Sequence, residues 1–369
     1  MRRARGTAAG VLGLAIVLAA PAGEGAERRG GAVTFSGNVA IQLIYDNNII
    51  HYSDADLLEL ETAVNQGKFS ITSAGDWIVR PRLDLAVRSA AVTGRPLLLR
   101  FRFTTWRYAE NQIKNNDSYS LRLTHPGFGK DNLDLSYTYA PMAYLRNFKD
   151  RPPFAPPSAP EVYTEFSLAS NSFAAAYTRR LRRDLDGTAT LGRAARYYNQ
   201  PFMENDNWEW NGGGSLAWRA AKPLKLTGEY LYSSVRARAA DAVGEDAASS
   251  NDGDPSYERD SYGLAAAFRP GGRLRAIDEV TATGQLQIYY FTSQKPLTAD
   301  PFHVGRRDEV HRLEIAATSA PVGRGVTLDG GYRFTERTSS AAWKGGGEGI
   351  SEDKDYTDHR FWVGATYPF

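Results

Sequence analysis

Cysteine is absent from the 369 residues. This excludes a disulfide framework, thiolate catalysis, a cysteine-ligated zinc site and a lipoprotein anchor. An excess of charge of one sign is also missing. Lys and Arg number 44 and Asp and Glu 42, a formal net charge of +2. A general nucleic-acid binder would be clearly basic, so no nucleic-acid partner is expected. The five histidines, His51, His125, His303, His311 and His359, are scattered with no His-x-x-x-His pair. No metal centre is expected from them. No phosphate loop is present either: Gly212-Gly213-Gly214 precedes no Lys-Ser/Thr, and no cofactor is implied. After the first 22 residues no run approaches 18 consecutive apolar residues, so no later transmembrane helix is expected.

The chain is instead rich in Gly (35) and Tyr (20), with aromatics at 12%. That composition, poor in strong helix formers, points to β structure. Residues 1–22 have the form of a secretory signal peptide. Arg2, Arg3 and Arg5 precede an apolar run from Val11 to Ala20, and Ala20-Pro21-Ala22 is a small-x-small cleavage site. The run is shorter than the ~20 residues a spanning helix needs. Residues 23–369 then form one domain.

That domain alternates apolar and polar residues over long stretches. Val39, Ile41, Leu43 and Tyr45 alternate with Asn38 and Gln42; Leu97, Leu99, Phe101 and Phe103 with Arg100, Arg102 and Thr104. Period-two alternation is a strand signal. The predicted strands run roughly ten to fifteen residues, where globular strands run five or six and tilted bilayer-crossing strands need ~9–11. Their apolar faces end in rings: Tyr137 and Tyr139, Trp208 and Trp210, Tyr230 and Tyr232, Tyr332 and Phe334. Fourteen strands are predicted, with sixteen as the alternative: 33–45, 75–90, 96–108, 117–125, 131–141, 166–181, 187–198, 206–219, 223–237, 256–269, 278–292, 308–319, 325–338 and 357–369. Short connections alternate with long ones, and Gly212-Gly213-Gly214 is expected to mark a bend or bulge in the wall.

With these features the chain resembles the Gram-negative outer-membrane β-barrel class, porin-like, over essentially all of residues 23–369. The final strand carries the most specific likeness. Phe361, Val363, Tyr367 and the terminal Phe369 look like the signal read by that class's barrel-assembly machinery. Tyr45-Asp46-Asn47-Asn48-Ile49 resembles an opening found in many barrels of the class. The resemblance implies an all-β, antiparallel up-and-down transmembrane barrel in the outer membrane. Lipid and lipopolysaccharide would lie outside it and small solutes inside, with no enzymatic activity. It names no subfamily, solute or oligomeric state.

If the apolar faces meet lipid, the other faces line the lumen. The expected pore-lining set is Arg80, Arg82, Asp84, Arg88, Arg100, Arg102, Arg122, Glu229, Glu314, Arg333, Arg337 and Arg360. Across the full inward set, bases outnumber acids about two to one, and Arg prevails over Lys, which suits planar contacts to carboxylates or phosphates. Charged rings of this kind set pore selectivity, so an anion-favouring channel is one expectation. The alternative is a non-conducting barrel with a filled lumen, anchoring or displaying acidic loops such as Glu245, Asp246, Asp252 and Asp254. Fourteen strands lie between a barrel filled by side chains and an open porin. The stretch 142–165, with Arg151-Pro152-Pro153-Phe154, is one candidate for narrowing the lumen. Arg193 does not fit, since the alternation puts it on the lipid face.

Overall fold

The computed structural model describes residues 33–90, 95–126, 131–150, 162–241, 244–245, 250, 252–271, 276–342 and 354–369. The expected signal peptide lies outside these residues, as do Arg151 to Phe154 and Asp246. Fourteen strands form one closed antiparallel barrel in which each strand pairs with its neighbours in sequence. They are β1 Thr34–Asp46, β2 Asp76–Ser89, β3 Leu97–Tyr108, β4 Asn116–Pro126, β5 Asn132–Asp150, β6 Val162–Arg182, β7 Leu185–Tyr198, β8 Asn207–Ala221, β9 Leu224–Ala237, β10 Tyr257–Phe268, β11 Ile277–Phe291, β12 Arg307–Ser319, β13 Thr327–Ser340 and β14 Tyr356–Pro368. The count is fourteen, not sixteen. Closure removes every sheet edge, so the backbone hydrogen bonds are made within the wall.

Closure happens where β1 meets β14, in a register running from Asn38↔Pro368 to Asp46↔Arg360. Beyond that ladder, Gly37 and Phe369 exchange N–H···O bonds of 2.9 Å in both directions. Val363 and Tyr367 pair with Leu43 and Val39, which puts them on the outer face with Phe361.

The outer face is apolar: Ile41, Leu85, Phe101, Leu264, Leu313 and Val363 are among many large side chains exposed there. Rings meet at tilted angles across strands on this face, as in Tyr45–Trp77 at 5.2 Å, Phe103–Tyr119 at 5.1 Å, Tyr230–Tyr262 at 5.3 Å and Tyr332–Phe361 at 4.8 Å. Many glycines fall opposite leucines on this face, as Gly228 and Gly284 both do for Leu264. The inner face is polar, so the twofold alternation along each strand separates two environments.

Three local expectations need correction. First, β5 and β6 are longer than predicted and run as paired strands through Asp150↔Val162. Residues 142–150 and 162–165 are therefore wall, with register shifts at Ala140/Ala143 and Tyr144/Arg146 absorbing the irregular sequence, and the rest of the 142–165 stretch lies outside the described residues. Second, Gly212-Gly213-Gly214 makes no bulge. The ladders on both sides stay in register there. The glycines admit close backbone approach: a Cβ on Gly213 would meet the Tyr230 carbonyl oxygen at 2.1 Å. Third, the segment that enters the barrel mouth is 47–75, between β1 and β2.

That segment carries helix α1, Asp54–Glu61, capped by the Ser53 side chain accepting from the Asp56 N–H. Ile49, Ile50, Tyr52 and Ile71 bury against Tyr144 of β5, with Tyr108 and Ile113 packed alongside. The Arg146 guanidinium lies 5.3 Å above the Tyr52 ring and reaches the carbonyls of Ile50 and His51 at 3.4 Å. The Tyr45 to Ile49 motif explains the anchorage. Asp46 accepts from Arg360, the Asn47 carboxamide oxygen accepts from the His359 N–H at 2.6 Å, and Asn48 donates to the carbonyls of Tyr52 and Thr357 at 2.8 and 3.1 Å. The mouth segment is thereby tied to the seam that closes the barrel.

Candidate functional site

The candidate site is the inward wall, and strand register places its side chains. Gln42 faces inward on β1, so its partner Arg80 on β2 does too, followed at every second position by Arg82, Asp84 and Arg88. Asp84 pairs with Arg102, and Arg100 with Arg122, on β3 and β4. Arg360 on β14 pairs with Arg333 on β13, which pairs with Glu314 on β12. Glu229 on β9 and Arg337 on β13 share this side. All twelve expected residues therefore lie on the inward face.

The wall is layered. At the end carrying the long loops, charged groups are deeply buried and paired. Arg306 grips Asp308 through two bonds of 2.9 and 2.8 Å, and Arg337 bonds the same carboxylate, which is fully buried. Glu209 accepts from Arg196 at 2.5 Å and Arg259 at 3.0 Å. Asp46 takes Arg360, and Asp76 accepts from the backbone of Glu110 and Asn111. Tyr108, Tyr198, Tyr257, Tyr289 and Tyr356 share this end. Burying ions is costly, and bidentate or shared contacts are what make it tolerable.

Towards the short-turn end the wall opens. Arg102 and Arg122 are about half exposed although they face inward. Asp84 accepts from the Nε of Arg102 (2.5 Å) and lies within ion-pair distance of Arg82 (3.0 Å), and Asp134 accepts from the Nε of Arg122 (3.0 Å). Asp186 is shared by Arg180 (2.9 Å) and Arg219 (3.1 Å). One acid for two arginines is a recurring arrangement, and it leaves guanidinium charge facing the lumen.

Sequence alternation missed several members of the buried layer: Asp46, Asp308 and Arg259 face inward, and Arg306 precedes β12. The same period-two count would have found Asp308, two residues before Val310 and four before Arg312. Arg306 could not be found this way, because it lies outside a strand.

Arg193 does face outward, since its partners Phe173 and Trp210 do. Its guanidinium lies over the rings of Trp208 and Trp210, at 4.7 and 4.9 Å. Both His311 and His359 face outward as well, opposite Leu286 and Phe334. His359 bonds the Tyr332 hydroxyl at 2.8 Å. Three rim histidines face a carboxylate, His51 with Asp358 and His311 with Glu309 at 3.8 Å each and His303 with Asp300 at 2.7 Å, and the Ser293 hydroxyl bonds that same Asp300. The acid sits between the other two groups, so no hydroxyl is aligned on the imidazole as nucleophilic catalysis requires. In the loop after β9, Asp241, Glu245 and Asp252 bring one carboxylate oxygen each within 4.8 Å of one another. Close by, burial and the charges of Asp252 and Asp241 push Glu204 up to about 7.

No family profile and no curated protein matches the chain. Solved structures do resemble it. The outer membrane channel DcaP of Acinetobacter baumannii is 12% identical with a TM-score of 0.46, covering 93% of this chain and 99% of its own. The anion-selective porin from Comamonas acidovorans is 13% identical with a TM-score of 0.42, covering 92% and 100%. The outer membrane protein OpdK from Pseudomonas aeruginosa is 9% identical with a TM-score of 0.41, covering 91% and 99%. At such identities the likeness concerns the fold alone. The geometry stands by itself: a closed antiparallel barrel of even strand count, apolar and ringed by aromatics outside and charged inside, has the architecture of an outer-membrane β-barrel.

Proposed function

We propose that this chain is a porin-like outer-membrane channel for passive diffusion of small polar solutes, with a preference for anions. The observation that carries this reading is the exposed, under-neutralised arginine wall of the short-turn half, where Arg82 and Arg102 share one acid. Fixed positive charge on a low-dielectric wall raises the local concentration of anions. Arg80, Arg82, Arg88, Arg100, Arg102, Arg122, Arg333, Arg337 and Arg360 supply the cationic side of the lining, and Asp84, Glu229 and Glu314 its acids. Export through a cleaved signal at 1–22 and assembly on the Phe361, Val363, Tyr367 and Phe369 signal belong to the same reading. The short-turn end then faces the periplasm and the long loops face outward.

Planar-bilayer recording tests it. Open channels in KCl with a reversal potential favouring chloride are expected. Replacing Arg80, Arg82, Arg100, Arg102 and Arg333 by Ala should shift that potential towards cations. Absence of channels, or a potential that ignores the substitutions, refutes the reading. One observation favours a different outcome. The buried Arg306–Asp308–Arg337 and Arg196–Glu209–Arg259 clusters occupy the long-loop end, as a non-conducting barrel would require.

A further inference from the structure

Arg100 and Arg122 stand directly opposite each other on β3 and β4. Side chains at such positions are about 5 Å apart at Cβ, and like charges there destabilise the sheet. Nearby acids do not resolve the conflict. Asp134 engages Arg122 through Nε at 3.0 Å and also accepts the Thr124 hydroxyl at 2.5 Å. Asp84 is divided between Arg82 and Arg102. Among the described residues Arg100 has no acidic partner within ion-pair distance, and Arg102 and Arg122 use only Nε for theirs. Arg82, Arg100, Arg102 and Arg122 against Asp84 and Asp134 leave two positive charges in excess.

Arg100, Arg102, Arg122, Asp84 and Asp134 line a pocket of about 360 Å³ that also exposes Ser120, Ser136 and Thr138; Arg82 is not in that lining and meets it through Asp84 at 3.0 Å. A second recess of about 230 Å³ shares Asp84, Arg100 and Arg102 with it. Because Asp84 and Asp134 hold the Nε edges, the terminal nitrogens of Arg102 and Arg122 remain as donors for another partner.

We propose that this pocket is a binding station for a compact divalent oxyanion of the phosphate or sulfate type. The lining alone carries one positive charge in excess, and Arg82, which meets Asp84 at its edge, brings the local excess to the two charges such an anion balances. Several acceptor oxygens match the donors of Arg100, Arg102 and Arg122, and the hydroxyls of Ser136 and of Ser120, which itself accepts from Thr138 at 3.3 Å, supply neutral donors around them. The anion stabilises the wall by separating Arg100 from Arg122. The station rests on the channel reading only for the route by which the anion arrives.

Two measurements separate the station from that route. Calorimetric titration of the detergent-solubilised barrel with inorganic phosphate, and with sulfate, reads binding without transport. Saturable binding is expected at pH 8 for both, with chloride at equal ionic strength at least tenfold weaker. Arg100→Gln and Arg122→Gln should each weaken phosphate about tenfold or more. Arg107→Gln, on the outer face and paired with Asp117, should leave it unchanged. In the bilayer, phosphate should lower the chloride current along a saturating curve that Arg100→Gln shifts to higher concentration. Calorimetric binding with no conductance supports the station while overturning the channel. Chloride conductance with no phosphate binding, or with binding indifferent to both substitutions, overturns the station.

Discussion

Arg193 shows how much one side chain's setting matters. A charged residue at the bilayer midplane of a barrel costs ~2–4 kcal/mol, falling to ~0–1 kcal/mol near an interface. Arg193 lies five residues from the long-loop end of β7 and is covered by two indole rings. Each cation–π contact returns roughly 0.5–1 kcal/mol. The two effects are comparable, so the charge is tolerated where it stands. Twofold alternation made the residue's face legible in the sequence, but not the cover that Trp208 and Trp210 provide, because that cover comes from the neighbouring strand. The same limit hid the Arg360–Asp46 pair, 314 residues apart in sequence. At this scale the pH response belongs to Glu204, in the loop between β7 and β8. Its carboxyl is raised to about 7 by burial, then by Asp252 and Asp241. A carboxyl raised in the folded state stabilises fully below its unfolded value, and that contribution is lost as pH rises through the folded value. The docking of 199–206 against 238–241 should therefore loosen between about pH 5 and 8, by on the order of 1–3 kcal/mol. Hydrogen exchange in both loops should rise over that window in the wild type and stay flat in Glu204→Gln.

Among the elements, the seam between β1 and β14 is the most exacting. Gly37 sits under the Phe369 ring, and a Cβ there would come within 2.6 Å of that ring and 2.8 Å of the Asp84 carbonyl oxygen. A backbone atom cannot yield as a side chain can. Gly37→Val should cost about 1–3 kcal/mol as overpacking. It should lower the temperature at which the folded band is lost on unheated gels, while Asn38, one residue on, tolerates Ala. The final strand was legible because alternation and a terminal Phe are local signals. The extended β5–β6 pair was not, since Pro141 interrupts the pattern and only the pairing from Ala140↔Ser170 to Asp150↔Val162 reveals that both strands continue. The glycine triplet was legible as special but not as in-register, because close approach of β7 and β9 is a property of three strands together.

For the whole molecule, strand number, closure and the two-faced wall follow from periodicity repeated fourteen times. The division of the lumen into a packed end and an open end does not, because it depends on where 47–75 folds. That segment's apolar residues read as ordinary loop content until Tyr108, Ile113 and Tyr144 surround them. Replacing 49–73 by a short Gly-Ser linker should leave the barrel closed, as the ladder from β1 to β2 runs unbroken from Thr34↔Arg88 to Asp46↔Asp76. Single-channel conductance should rise several-fold, with circular dichroism unchanged. Equal conductance in the two proteins would place the narrowest point elsewhere.

The layering has an electrical consequence. Surplus positive charge lies on the short-turn side of the lumen, and the long-loop side, into which 47–75 packs, is neutralised by its own carboxylates. Ions driven one way meet the charged vestibule before the constriction; driven the other way, they meet it after. A conduit asymmetric in both width and fixed charge passes unequal currents at opposite polarities. On the channel reading proposed above, the barrel should rectify without any moving part, and added salt should flatten the asymmetry as the Debye length shrinks.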